Sequence, residues 1–338
     1  MFSDTAFAVQ KRSIAIAVSK GARHQSRLTV GSPADSPVIL MALPTQLLTS
    51  SIGLTPLSGL ANHYDGLLCD IWGVIHNGVA AFESAVDALC RYRASGGHVV
   101  LITNAPRSCR EIYPQLERLG VPRAAFDSIV TSGDVTRKAV KEKAGAPLFH
   151  FGPARDHSVL EGLTNPIVGI SDAKLCLLTG PLDDAIETVD VYHSLLIEMR
   201  DNAVEMICAN PDLVVRDGNR MVICAGSIAQ RYAQLGGTVM FAGKPEAPIY
   251  DEAVKRIASI AGREIAKSRL LAVGDGLPTD IKGAANNNFD AYFISGGIHA
   301  DEFGDLKTAA NVTEAIHRIK SQNLGINLVG ICDRMRWT

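Results

Sequence analysis

From Tyr64 almost to the end of the chain, short apolar runs alternate with stretches whose apolar positions recur every three or four residues. Four or five apolar residues bounded by turn formers read as a buried parallel strand, and the longer period reads as an amphipathic helix. The run Leu67-Leu68-Cys69-Asp70-Ile71-Trp72-Gly73-Val74 is such a strand, ending in a carboxylate and turning at a glycine. Phe82, Ala85, Val86, Leu89 and Tyr92 then keep helical spacing until Gly96-Gly97. His98–Ile102 predicts the next strand, closed by Thr103-Asn104. Pro106 opens a helix through Leu119-Gly120, with proline in its first turn and glycine just past its end. Ile129-Val130 is a further short strand and Asp134–Lys143 a further helix. This order predicts an α/β fold with a doubly wound parallel sheet, whose ligands collect at the carboxyl ends of the strands, where Asp70 falls.

About 100 residues separate this half from Lys244, far more than a crossover helix requires, so they form a domain of their own. Leu148–Phe151, Leu175–Leu178 and Glu205–Cys208 read as its strands, and Asp184–Arg200 and Ser227–Leu235 as its helices. The first sheet resumes at Thr238-Val239-Met240-Phe241, continues through a helix over Ile249–Ala261, and reaches the strand Leu270–Val273 before an acidic loop. Ala291–Ile294 supplies another strand and Val312–Ile319 a closing helix. The expected division is a leader over 1–50, a core over 51–143 and 238–338, and an inserted domain over 144–237.

Composition narrows the function classes. A chain of 338 residues with 47% hydrophobic content can bury two real cores. Its formal charge of −2, without a basic stripe interleaved with aromatics, points to neither nucleic acid nor a membrane surface as partner. The seven cysteines lack Cys-x-x-Cys spacing and sit mostly in apolar runs, which fits a reducing, cytoplasmic setting and excludes a zinc site built on paired thiolates. Residues 1–50 differ: Lys11, Arg12, Lys20, Arg23 and Arg27 face only Asp4 and Asp35, among many Ser and Ala. An organelle-targeting leader and a disordered or over-extended start at Met1, with Met41 as the true start, both account for that bias.

Four stretches carry candidate chemistry: the strand ending at Asp70, Leu101-Ile102-Thr103-Asn104, Gly243-Lys244-Pro245, and Gly274-Asp275-Gly276-Leu277-Pro278-Thr279-Asp280. Asp275 and Asp280, five apart on a glycine-containing loop, could join Asp70 around a hard cation, and Mg2+ suits such carboxylates and phosphate oxygens together. In this order the stretches resemble the haloacid dehalogenase superfamily, and the spacing is similar to its class IIA branch, the NagD-like phosphatases and their pyridoxal phosphate phosphatase relatives. The resemblance covers roughly residues 60–320 and implies that the inserted domain is a class II cap. It implies a phosphatase of small phosphorylated metabolites in which Asp70 is the nucleophile and carries a phosphoryl group. Asp70, the Trp72 backbone carbonyl, Asp275 and Asp280 would hold Mg2+. Thr103 and the Asn104 amide would donate to phosphoryl oxygens, the helix starting at Pro106 would add its dipole, and Lys244 would neutralise charge. His76, Arg107, Asn210 and Asp212 are the remaining substrate-binding candidates, and the cap leaves room for a homo-oligomer interface.

One position breaks the pattern. Phosphatases of the superfamily carry a second aspartate two residues after the nucleophile, as general acid and base; here Trp72 stands there, and indole exchanges no proton at neutral pH. Asp65 lies five strand residues upstream, ~17 Å away and on the opposite face. His76 is the nearest replacement acid. Without one, the enzyme would favour acyl, enol or aryl phosphates, which leave as stable anions. A low-turnover binder of phosphorylated ligands, and less favourably a metal-independent dehalogenase, are the alternative readings.

Overall fold

The computed structural model describes residues 54–183, 186–217, 220–303, 306–322 and 325–338. The 1–50 leader reading therefore lies outside the described residues, as does Asp184, where the expected helix over Asp184–Arg200 begins.

Six parallel strands form the larger sheet: β1 (Gly66–Asp70), β2 (His98–Thr103), β3 (Ser128–Thr131), β10 (Leu270–Gly274), β11 (Asp290–Ile294) and β12 (Asn327–Cys332). Their spatial order is β12-β11-β10-β1-β2-β3. Strands β1 to β3 step one way and β10 to β12 the other, so the order reverses between β1 and β10. Cys69 pairs with Val273 across that seam, so that Asp70 and Gly274 close neighbouring strands. The crevice outside these two carboxyl ends is the place a doubly wound sheet offers a ligand.

Alternation along each strand builds two cores. Leu67, Cys69, Val99 and Leu101 pack beneath the helices Glu83–Ala94 and Cys109–Arg118, while Leu68, Val100, Ile102 and Ala272 pack beneath Ala247–Ala261 and Ala309–Ser321. That is why these strands read as continuous apolar runs: both faces are covered.

The second sheet is also parallel, in the order β4 (Leu148–Phe151), β5 (Leu175–Leu178), β6 (Glu205–Cys208) and β9 (Val239–Phe241). Phe149, Phe151, Cys176 and Leu178 meet the helices His193–Asp201 and Ala225–Gln234 on one face. On the other, Leu148, Leu175 and Ile207 rest on Ala139 and Val140 of the helix Ser132–Glu142, which ties the second unit to the first. A small antiparallel pair, β7 (Val214–Asp217) and β8 (Arg220–Ile223), flanks it.

Three expectations need correction. Val239–Phe241 pairs with Met206–Cys208 in the second sheet, so the first sheet does not resume at Thr238. A three-residue apolar run satisfies either sheet, and only the non-local partner decides. The helix after Pro106 begins at Cys109, capped by Ser108, because Cys109 N and Ser108 Oγ both donate to the Asp134 carboxylate, at 2.9 Å each. That carboxylate already meets the helix amino terminus, so the dipole expected to help a phosphate is engaged inside the fold. Third, Val189–Tyr192 is a 3₁₀ turn and the α-helix runs over His193–Asp201. Strand β12 lies beyond the last element the apolar pattern predicts, the Val312–Ile319 helix. Among the described residues no helix is long and apolar enough to cross a membrane.

Candidate active site

The four stretches converge at the β1–β10 seam. Asp70 ends β1, Thr103 ends β2, Lys244 follows β9 by three residues, and the loop after β10 carries Asp275 and Asp280. One carboxylate oxygen each of Asp70, Asp275 and Asp280 lies within 4.8 Å of the others, and all three residues are buried. The Lys244 ammonium reaches two of them, donating to Asp70 Oδ1 at 2.5 Å and to Asp280 Oδ1 at 2.7 Å.

Local chemistry explains how each group is held. Asp280 turns back on its own loop, its Oδ2 accepting from Gly276 N at 3.0 Å. Asp275 Oδ2 accepts from Ile298 N at 2.6 Å, a donor outside the four stretches. Glycine makes room for that side chain: a Cβ at Gly73 or Gly297 would stand 2.0 or 1.8 Å from Asp275 Oδ2. Gly297→Ala should therefore push Asp275 aside and cost about 1–3 kcal/mol of stability. A lowered urea midpoint of the metal-free protein checks this; an unchanged midpoint would show that the wall yields freely.

The electrostatics are unbalanced. Burial, followed by the neighbouring Asp280, lifts Asp70 from the ordinary carboxylate range to about 7, even though Lys244 pulls it down. Asp275 is pushed well above that range by burial and by the charges of Asp70 and Asp280. Burial draws the Lys244 ammonium down, but Asp280, Asp70 and Asp212 outweigh it and hold its pKa well above the usual value. Three carboxylates against one ammonium leave two negative charges uncompensated when all are ionised, in a site with little water to screen them. Hard oxygen donors with an excess charge of two fit a divalent cation.

Asn104 has a role that sequence reasoning did not give it. Its side-chain amide spans the Lys244 backbone, Oδ1 accepting from Lys244 N at 2.8 Å and Nδ2 donating to Lys244 O at 3.2 Å. Nδ2 also donates to Asp212 Oδ1 at 2.8 Å, and Asn210 Oδ1 accepts from Asp212 N at 3.1 Å. Asn210 and Asp212, expected on substrate, are thus held in an internal clamp between the second unit and Lys244. Thr103 stands half-buried beside them, its Oγ1 accepting from Ala105 N at 3.2 Å.

The other candidates move away from chemistry. Arg107, just ahead of the Ser108 cap, donates to Gln115 Oε1 of the helix that follows, at 2.8 Å. His76 is buried, which drives its imidazole down to about 4; Nδ1 accepts from Gly78 N at 3.0 Å, and the ring sits edge-on to Trp72 with centroids 5.2 Å apart. A neutral ring with one nitrogen engaged does not replace the missing acid. Asp65 is held at the opposite end of β1 by Arg263 and Arg269. Trp72 itself is 40% exposed.

Comparisons with known proteins place the chain in a family. The family model for haloacid dehalogenase-like hydrolases matches residues 67–164, and a related hydrolase-like model of the same group matches 241–319. A crystal structure of a haloacid dehalogenase-like family hydrolase from Brucella suis 1330 is 44% identical, covers 73% of this chain and 94% of that one, and superposes with a TM-score of 0.70. The chain belongs to the haloacid dehalogenase-like hydrolase family. The second unit stands where the resemblance places the cap. The 5'-nucleotidase YutF of Bacillus subtilis (strain 168) is 23% identical over 239 residues, 70% of this chain and 88% of that protein. Glycerol phosphate phosphatase Rv1692 from Mycobacterium tuberculosis, in complex with magnesium, shares the fold at a TM-score of 0.56 and 23% identity, over 71% of this chain and 70% of that one.

Proposed function

We propose that this hydrolase is a Mg2+-dependent phosphatase of a small phosphorylated metabolite, with Asp70 as nucleophile. The observation that carries the reading is the set of three buried carboxylates within 4.8 Å, opposed by the Lys244 ammonium. Asp70, Asp275 and Asp280, with the Trp72 carbonyl, would hold the ion. When bound, Mg2+ offsets the charge of the phosphoryl group and of the carboxylates around it. The relatives named as a nucleotidase and a phosphatase are consistent with a phosphate monoester as substrate.

In this reading an Asp70 oxygen attacks phosphorus, the bond to the leaving oxygen breaks with its electron pair going to that oxygen, and water later cleaves the aspartyl phosphate. Lys244 screens the approach of Asp70 to a dianion, a repulsion of several kcal/mol in a partly dry site. The Thr103 hydroxyl donates to a phosphoryl oxygen. Asn104 fixes the lysine backbone so that the ammonium stays aimed.

Trp72 leaves the departing oxygen without a carboxylic acid beside it, and His76 is neutral. The reading therefore assigns acyl, enol or aryl phosphates as preferred substrates. The test is phosphate release from acyl, aryl and alkyl phosphates with and without Mg2+, alongside halide release from haloacids. We expect metal-dependent turnover that falls steeply as the leaving group becomes more basic. Trp72→Asp should raise alkyl ester turnover by about 10²-fold, the lower end of general acid catalysis. Halide release, or activity that survives chelation, would overturn the reading. Tight binding without phosphate release would establish the low-turnover binder.

A further inference from the structure

The chain after β12 returns across the sheet edge to the site. Ser295 N donates to Cys332 O at 2.8 Å and Gly296 N to Asp333 O at 3.0 Å, so the tail lies along the two residues that lead into Gly297 and Ile298. Farther on it is tied down again: Leu57 N donates to Arg336 O at 2.9 Å, Ser58 N to Trp337 O at 3.1 Å, and Arg336 pairs with Asp333 at 2.8 Å.

Arg334 is fixed between these anchors. Its guanidinium lies 4.0 Å from the centroid of the Phe82 ring, and Nη1 donates to the Gly73 carbonyl at 3.3 Å. Gly73 follows Trp72 in the loop after the nucleophile, has φ +79°, and is one of the two glycines against Asp275. The other, Gly297, follows the Gly296 that the tail holds. Both walls of the Asp275 pocket are therefore fastened to residues 333 and 334, one by a backbone bond and one by a guanidinium. Packing against Phe82 alone would be served by an apolar side chain; a half-buried charge that spends a donor on a loop carbonyl does more.

We propose that Arg334 is a positioning residue: from the tail it fixes the nucleophile loop at Gly73 and, together with the Asp333–Gly296 contact, sets the walls that aim Asp275 at Asp70 and Asp280. The proposal rests on the phosphatase reading in one respect, that the three carboxylates share a divalent ion. Groups that orient ligands from behind change metal affinity or activity by about 10- to 100-fold when removed.

The experiment titrates Mg2+ into the parent and Arg334→Ala by calorimetry, and follows aryl phosphate turnover with and without millimolar guanidinium. We expect Arg334→Ala to bind Mg2+ about tenfold more weakly, to lose turnover in parallel, and to recover a substantial part of it when guanidinium fills the space over Phe82. A change that merely loosened the fold would not be repaired by that ion. If only the charge of Arg334 were felt, its removal would tighten cation binding; equal or tighter binding, or no recovery with guanidinium, overturns the assignment. Should Arg334→Ala not fold, Arg334→Lys serves, since it keeps the charge but loses the planar face; weaker Mg2+ binding is expected and parent-like binding overturns the proposal. A parent that takes up no Mg2+ would instead sink the reading of the site, and this proposal with it.

Discussion

Asp70→Asn brings phosphate release to background, a loss on the order of 10⁴-fold or more, as removal of a nucleophile does where the remaining groups act as a unit with it. The amide keeps the size of the carboxylate but has no charge with which to attack phosphorus. Stability should move the other way. Burial lifts Asp70 to about 7 in the folded chain, against 3.8 for the free group, so its ionised form opposes folding. A carboxyl group with a raised folded pKa binds more protons in the folded state, so stability falls as pH rises from about 4 to about 7. Removing the charge lifts that penalty above pH 7, while Lys244 keeps its partner Asp280. The signature is therefore an inactive protein whose metal-free urea midpoint at pH 8 is no lower than the parent's. Parent-like turnover of aryl and acyl phosphates would end the nucleophile assignment.

Lys244→Met reverses that signature, losing both activity and stability. The methionine stem fills a similar space, but Asp70 and Asp280 then face each other and Asp275 without an ammonium. Breaking a buried charge cluster by removing one partner costs about 3–5 kcal/mol, because the desolvated charges left behind lose their compensation. The sign of the pH dependence follows from Asp70: Lys244 holds its pKa down, so without the lysine the carboxyl titrates higher still and the destabilised window extends upward. The loss should be larger at pH 8 than at pH 5 in urea unfolding without metal, and Mg2+ should restore part of it by mass action. Turnover should fall about 10²- to 10³-fold, the scale of losing one preorganised charge in a dry site. An equal loss at both pH values would show that the ammonium contributes packing alone.

The sequence disclosed what depends on neighbours in the chain. A strand buried on both faces announces itself as an apolar run, and a chemical group at its carboxyl end is placed by the sheet rule; Asp70, Thr103 and the loop carrying Asp275 and Asp280 were legible for that reason. Partners distant in sequence were not. Asn104 announces a phosphate-binding amide just as well as a clamp on Lys244, and only the arrival of Asp212 from the cap separates the two. His76 carries no local mark of its burial. The Gly296-Gly297 pair after an apolar strand was a usable signal of close approach, though what approaches, the Asp275 carboxylate, is twenty-two residues earlier in the chain. Arg334 had no signal, since a lone arginine near a chain end looks like any solvated one.

The membership of β9 in the cap sheet has a practical consequence for chimeras. A cap exchange cut at residue 237, where the alternating pattern suggests a seam, would leave the donor's Met206–Cys208 strand to pair with the recipient's edge strand, a neighbour it was not packed against. Cut instead after Phe241, the graft keeps its edge, but its joint then falls three residues from Lys244, so a register error of one residue in the splice would turn the ammonium away from Asp70. Cap transplants between relatives therefore have to carry Ala242-Gly243-Lys244 along with the cap they replace.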